Sequence, residues 1–255
     1  MGPAVVPPTD PLCAVRAGRS VVAMSTILIT GANKGLGRES ARQLHDLGHD
    51  VWVAARDEGR GREAADALGA RFVRLDVTDD ASVAAAAEHV AAATGGSLDV
   101  LVNNAGVSGT SAPTPEITAA DVEEVFAVNV LGPVRVLHAF LPLLRRSPAG
   151  VVVNVSSGLG SHAVTSEPGR VESSFQAPAY TSSKAALNML TSQWAAALPE
   201  LRVNCVDPGY TATEFNGHSG PQTVEEGAEA IVRMATIGAD GPTGTYTDRH
   251  GPLGW

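Results

Sequence analysis

The sequence predicts a doubly wound α/β fold, in which a parallel sheet is covered by helices on both faces. Three observations carry this. Short apolar runs alternate with helical segments along nearly the whole chain. The runs are apolar at almost every position, as strands buried on both faces require. The first run leads directly into a glycine-rich turn and then a helical pattern.

In order, Ile27-Leu28-Ile29 forms the first strand, and the turn Thr30-Gly31-Ala32-Asn33-Lys34-Gly35-Leu36-Gly37 opens a helix with Ala41, Leu44 and Leu47 on one side. Such a turn lets the backbone approach a pyrophosphate, which the helix N-terminus attracts through its unpaired N–H groups. Strands follow at 51–55, 72–75, 98–102, 151–155 and 203–206, with a short last one at 243–247. Helices are expected at 58–69, 79–94, 119–146, 179–198 and 224–235. Pro133 and Pro142 predict a kink or break in the long helix. No linker, composition shift or repeat divides the chain, so one domain is expected over 24–255. In such sheets ligands sit beyond the carboxyl ends of the strands. Asp76, Asn103-Asn104-Ala105-Gly106, Ser156-Ser157 and Asp207-Pro208-Gly209 all fall there.

The 255 residues suffice for a substantial core. A net charge of −9 argues against nucleic acid or an anionic membrane as partner. No apolar run is read as long enough to span a bilayer. The first 23 residues carry several prolines and no continuous apolar stretch, so a disordered leader is expected, with Met24 a candidate start of translation. The two cysteines, Cys13 in the leader and Cys205 in a strand, are not expected to pair, which suits a reducing, cytoplasmic setting. No histidine pair has metal-ligand spacing, so no metal is expected.

Tyr180 and Lys184 stand four apart on a predicted helix and share one face. An ammonium beside a phenol lowers the phenol's pKa and would make the pair a general acid/base. The same spacing also fits an ordinary exposed helix pair.

Thr30-Gly31-x-x-x-Gly35-x-Gly37, Asn103-Asn104-Ala105-Gly106, Asn129, Ser157, Tyr180-x-x-x-Lys184 and Pro208-Gly209 occur together in the order seen in the short-chain dehydrogenases/reductases, and the chain resembles that family over roughly residues 25–250. Asn33-Lys34, the segment before Tyr180 and the tail from Gly244-Thr245 to Gly251-Pro252-Leu253-Gly254-Trp255 resemble its carbonyl-reductase-like group. The resemblance implies a Rossmann-like sheet of about seven strands and an oxidoreductase that reduces an aldehyde or ketone to an alcohol. It implies Tyr180 as general acid, Ser157 as donor to the substrate oxygen and Lys184 as both the group that depresses the Tyr180 pKa and a holder of the nicotinamide ribose. Asn129 would hold a relay water through its backbone carbonyl. Ser156 is the rival of Ser157 and is expected to face the other side of the sheet.

Gly31, Asn33, Lys34, Gly35, Leu36 and Gly37 would cradle the nucleotide phosphates, Asp76 and Val77 the adenine, Asn104, Ala105 and Gly106 the ribose, and Pro208, Gly209, Thr211 and Thr213 the nicotinamide end. Where family members that bind the 2′-hydroxyl carry an acid after the second strand, this chain has Arg56, and Lys34 adds a second cation, so NADP(H) is expected. Asp57 is expected to cap the next helix.

Ser157 and Tyr180 are further apart than in most family members, and the extra segment at about 160–178 is expected to form a loop over the pocket. A comparable insertion in the carbonyl-reductase-like group leaves a monomer, so a monomer is favoured. That loop and the segment 215–220 would select a small carbonyl or alcohol substrate. A catalytically silent NADP(H)-sensing protein is the alternative, and a nucleotide-sugar epimerase or dehydratase a more distant one.

Overall fold

A computed structural model describes residues 24–255; the expected leader and Cys13 lie outside them. The strands are β1 (Thr26–Thr30), β2 (Asp50–Ala55), β3 (Arg71–Arg74), β4 (Val100–Asn103), β5 (Val151–Val155), β6 (Arg202–Val206) and β7 (Tyr246–Thr247). They form one parallel sheet in the order β3-β2-β1-β4-β5-β6-β7. The helices are α1 (Gly35–Asp46), α2 (Glu58–Leu68), α3 (Asp80–Thr94), α4 (Ala119–Phe126), α5 (Gly132–Leu144), the short α6 (His162–Thr165), α7 (Pro178–Ala197) and α8 (Val224–Ala235). Chain order reverses at β1, which pairs β2 on one side and β4 on the other, and this opens a crevice at the carboxyl ends.

The alternation of side chains along a strand divides the core into two layers. Ile27, Ile29, Val51, Val53, Val100, Val102, Val151 and Val153 meet α1, α2 and α8. Leu28, Trp52, Ala54, Leu101, Val152 and Val203 meet α3 and α5. Strands that satisfy both layers must be apolar throughout, which is why these elements are legible without any polar alternation. Helix ends follow local chemistry. The Asp57 carboxylate accepts from Arg60 N at 2.9 Å and caps α2 as expected. Asp79 caps α3, and Thr118 and Thr223 form capping boxes on α4 and α8.

The expected single helix at 119–146 is instead α4, a π turn over Ala127–Leu131, and α5. The chain stays helical through the π turn, which directly precedes Pro133, a residue with no N–H for the carbonyl four residues back, whereas Pro142 lies inside α5 without ending it. The inserted residue of the π turn brings Asn129 inward. Its Oδ1 accepts from Val107 N at 2.9 Å, and its Nδ2 donates to Val107 O at 2.9 Å and Ser183 Oγ at 3.0 Å. The same stretch, Ala119–Leu144, does have the length and apolar content of a membrane span, contrary to the expectation from the sequence. Its apolar side, with Val136, Leu137, Phe140 and Leu144, is packed in the core.

Smaller shifts have simple causes. β4 starts at Val100 because the Asp99 carboxylate turns back to accept from Thr26 N at 2.8 Å and Ser147 Oγ at 2.6 Å. β7 has two residues, and the Asn204 side chain holds the segment before it by donating to Pro242 O and accepting from Thr245 N.

Candidate active site

All the residues expected to hold the nucleotide line one cleft of about 740 Å³ above β1 and β4, together with Ser157, Tyr180 and Lys184. Asn129 does not line it. It stands behind Gly106, where an added Cβ would lie 3.3 Å from Asn129 Oδ1 and 3.7 Å from Lys184 Nζ.

The floor is set by the turn after β1. Gly31 has φ +65°, and a Cβ on it would fall 2.9 Å from Ala105 Cα. A Cβ on Gly37 would meet Asn104 Nδ2 at 2.4 Å. These contacts pull the turn down onto the end of β4 and leave room above it. Thr30 Oγ1 accepts from both Asn104 N and Ala105 N at 3.0 Å, and Asn104 Nδ2 donates to Thr30 O at 2.8 Å. The Asn104 side chain therefore fixes the turn, and Asn104, Ala105 and Gly106 all line the cleft.

The chemistry of this end suits a phosphorylated nucleotide. Lys34 precedes α1 without a side-chain cap and the first turn has no acid of its own, so the start of the helix is turned to the cleft, with the Glu214 carboxylate beside Gly35. Lys34 and Arg56 are exposed there, and neither forms an ion pair among the described residues. Burial raises the Asp76 carboxyl, but the N–H and hydroxyl of Thr78 outweigh that and hold it below its ordinary value, ionised at neutral pH.

Ser156 and Ser157 are separated as expected. Ser156 Oγ is buried and donates to Asn188 Oδ1 at 2.6 Å. Ser157 faces the cleft, and its Oγ accepts from Leu159 N at 3.2 Å, which leaves the hydroxyl hydrogen free to donate. Tyr180 and Lys184 lie on one face of α7, with Lys184 Nζ 5.7 Å from the Tyr180 ring centroid.

The expected electrostatics of that pair are not found. Burial pushes the Tyr180 phenol above its ordinary value; the Ser157 hydroxyl works against this, and Asp207 reinforces it. Burial pulls Lys184 down to about 8, against the attraction of Cys205 and Asp207. The ammonium donates to Val155 O at 2.8 Å, so it is anchored to the strand end rather than directed at the phenol. In this geometry Tyr180 is held protonated, as an acid rather than a base.

Behind these groups runs a buried polar chain. Asn103 Nδ2 donates to Asn154 Oδ1 and Asn154 Nδ2 to Thr191 Oγ1, both at 2.8 Å. Thr191 Oγ1 lies 3.1 Å from the free thiol of Cys205. Each member lies on a different element, so the chain locks α7 to β4, β5 and β6 and fixes where Tyr180 sits.

The segment between Ser157 and Tyr180 covers the cleft as expected, through Val171, Glu172 and Phe175. It is tied to the end of the chain by Ser161 Oγ donating to Gly254 O at 2.6 Å and Ala163 N to Trp255 O at 3.1 Å. Asp207 was missed as a site residue. It is buried, lines the cleft and accepts from Gly209 N at 2.9 Å. Its place at the carboxyl end of β6 was expected, but not its burial or its part in the cleft wall. The hydroxyl of Thr211 turns into its own loop toward Pro208 O.

The short chain dehydrogenase family model matches residues 25–223. The chain is 37% identical over 233 residues to the short-chain dehydrogenase anuI of Penicillium roqueforti, covering 86% of this chain and 92% of that one. It is 34% identical over 282 residues to the (+)-neomenthol dehydrogenase of Arabidopsis thaliana, covering 87% and 95%. An NADPH-bound carbonyl reductase from chicken fatty liver superposes with a TM-score of 0.81 at 28% identity, covering 91% and 99%. With the glycine turn, the parallel sheet and the Ser157, Tyr180 and Lys184 cluster in one cleft, this chain belongs to the short-chain dehydrogenase family and is an oxidoreductase.

Proposed function

We propose that the protein is an NADPH-dependent carbonyl reductase acting on a small-molecule aldehyde or ketone, with Tyr180 as general acid. The observation that carries this reading is the meeting of Ser157, Tyr180 and Lys184 at one end of a cleft whose other end presents the start of α1 with Lys34 and Arg56, neither ion-paired among the described residues. Lys34 and Arg56 favour the phosphorylated cofactor because a 2′-phosphate accepts charge-assisted hydrogen bonds from both. The NADPH in the chicken-liver relative supports the same choice.

Bound NADPH supplies a hydride to the carbonyl carbon. The Ser157 hydroxyl donates to the carbonyl oxygen as negative charge grows on it. Tyr180, kept protonated by its burial, then passes its phenolic proton to that oxygen. Lys184 holds positive charge close to the transient phenolate and to the ribose position, with Val155 O fixing its direction. Asn129 shapes the π turn behind Lys184. The segment at 160–178 keeps water from the open side.

Tyr180→Phe tests the assignment, since it keeps the ring and removes the proton. Turnover is expected to fall by about 10²–10⁴, with the NADPH dissociation constant nearly unchanged by fluorescence titration. Wild-type turnover in the variant would remove Tyr180 from the mechanism and leave a nucleotide-sensing protein as the better description.

A further inference from the structure

The chain has only five phenylalanines and three tyrosines. Four of these eight, Phe175, Tyr180, Tyr210 and Phe215, line the cleft at the end that holds Ser157. Phe175 comes from the segment before α7 and Phe215 from the connection between β6 and α8. Each is 43% exposed, and Val171 beside Phe175 is 50% exposed. Large apolar side chains left in water at a cleft mouth mark a surface that a ligand covers.

Their orientation is fixed. Phe175 stands edge-on to Tyr210 at 5.7 Å and 79°. The Tyr210 hydroxyl is 2.7 Å from Ser219 Oγ, which holds that ring. Phe215 lies tilted against Tyr180, also at 5.7 Å. A carbonyl oxygen placed at the Tyr180 hydroxyl and Ser157 therefore has aromatic surface from two separate loops beside it. Stacked and edge-on contacts of this kind favour a flat or cyclic hydrocarbon over a short flexible chain.

The charges at this end select against anions. The cations lining the cleft among the described residues are Lys34, Arg56 and Lys184: Arg56 belongs to the nucleotide end, Lys34 lines both that end and a side pocket with Phe215, and Lys184 is buried against Val155 O. A Cβ on Gly158, next to Ser157, would lie 2.9 Å from Asp207 Oδ2 and 3.1 Å from Glu172 Oε1, so two carboxylates converge there. Arg170, 3.3 Å from Glu172, is the ion-pair partner of that residue, and Asp207 has none among the described residues.

We infer that the site takes an uncharged, ring-bearing ketone, clamped by Phe175 and Phe215, and disfavours carbonyl compounds that carry a carboxylate beside the reacting carbon. The inference rests on the carbonyl-reductase reading and narrows it to a substrate class.

The test uses the full chain with NADPH and four probes: 1-tetralone, 2-butanone, acetophenone and benzoylformate, the last two sharing a ring and differing by a carboxylate. 1-Tetralone is expected to exceed 2-butanone in kcat/KM by about 100-fold, and acetophenone to exceed benzoylformate by about tenfold. Phe175→Ala and Phe215→Ala are each expected to lower the tetralone-to-butanone ratio by about tenfold, through KM. Because both rings are exposed, both variants should melt with the wild type and bind NADPH with its affinity. An unchanged ratio in both variants, or preference for benzoylformate over acetophenone, overturns the inference while leaving the reductase reading intact. No NADPH consumption with any probe, in a protein that binds NADPH, overturns both.

Discussion

Two side chains at the nucleotide and catalytic ends decide how this site responds to charge and pH. Arg56 stands exposed just after β2 and lines the cleft. Arg56→Asp exchanges a positive for a negative charge there. NADPH is expected to weaken by about 100-fold and NADH by only a few-fold, measured as dissociation constants; equal losses would remove the reason for choosing the phosphorylated cofactor. Lys184 carries the pH dependence. Burial lowers it to about 8, so its ammonium is present below that pH and lost above it. In the proposed mechanism reduction needs a protonated Tyr180 with a cation nearby, so kcat/KM is expected to fall as pH rises through about 8, this profile reporting the free enzyme. In Lys184→Arg the guanidinium keeps its proton, and the alkaline limb is expected to move upward even if the rate at neutral pH is reduced. An alkaline limb that stays in place would assign the titration to another group. Tyr180 and Lys184 were legible from their spacing, but their relation was not. The sequence suggests an ammonium acting on a phenol, whereas the fold buries both and lets desolvation dominate.

Elements were most readable where local chemistry sets their limits. α8 and β5 match the expected spans because a Thr223 capping box defines the first and a run of valines interrupted only by Asn154 the second. The π turn had no such signal. Pro133 suggested a kink or break nearby, but not that the chain would stay helical through a π turn in which Asn129 makes three side-chain bonds. Asn129→Ala leaves Val107 N–H without that partner in a partly buried place. It is expected to cost about 1–3 kcal/mol of stability, read as a melting temperature lower by several degrees, with some loss of turnover as α4 and α5 realign behind Lys184. A variant that melts with the wild type would show that the π turn holds without its asparagine.

At the scale of the whole molecule, the segment at 160–178 joins the substrate end to the last residues of the chain. Trp255 stacks on Tyr246 at 5.4 Å, and Gly254 and Trp255 accept from Ser161 and Ala163. A segment anchored in this way to its own chain fits a protomer that completes its site alone. We expect a single sedimenting monomer in velocity ultracentrifugation; a stable tetramer would contradict this. The apolar stretch Ala119–Leu144 shows why composition alone misleads at this scale. The pattern that would suit a lipid core instead covers one face of a seven-stranded sheet.

The sequence by itself determined the parallel sheet, the glycine turn and the identity of the residues at the strand ends, because strand alternation and close backbone approach restrict which residues fit there. Only the tertiary structure decided that Asn104 secures the turn, that Asp207 is a buried wall of the cleft and that Phe175 and Phe215 stand beside Tyr180. Those facts depend on contacts between segments distant in the chain, where burial and orientation, not residue type, set what each group does.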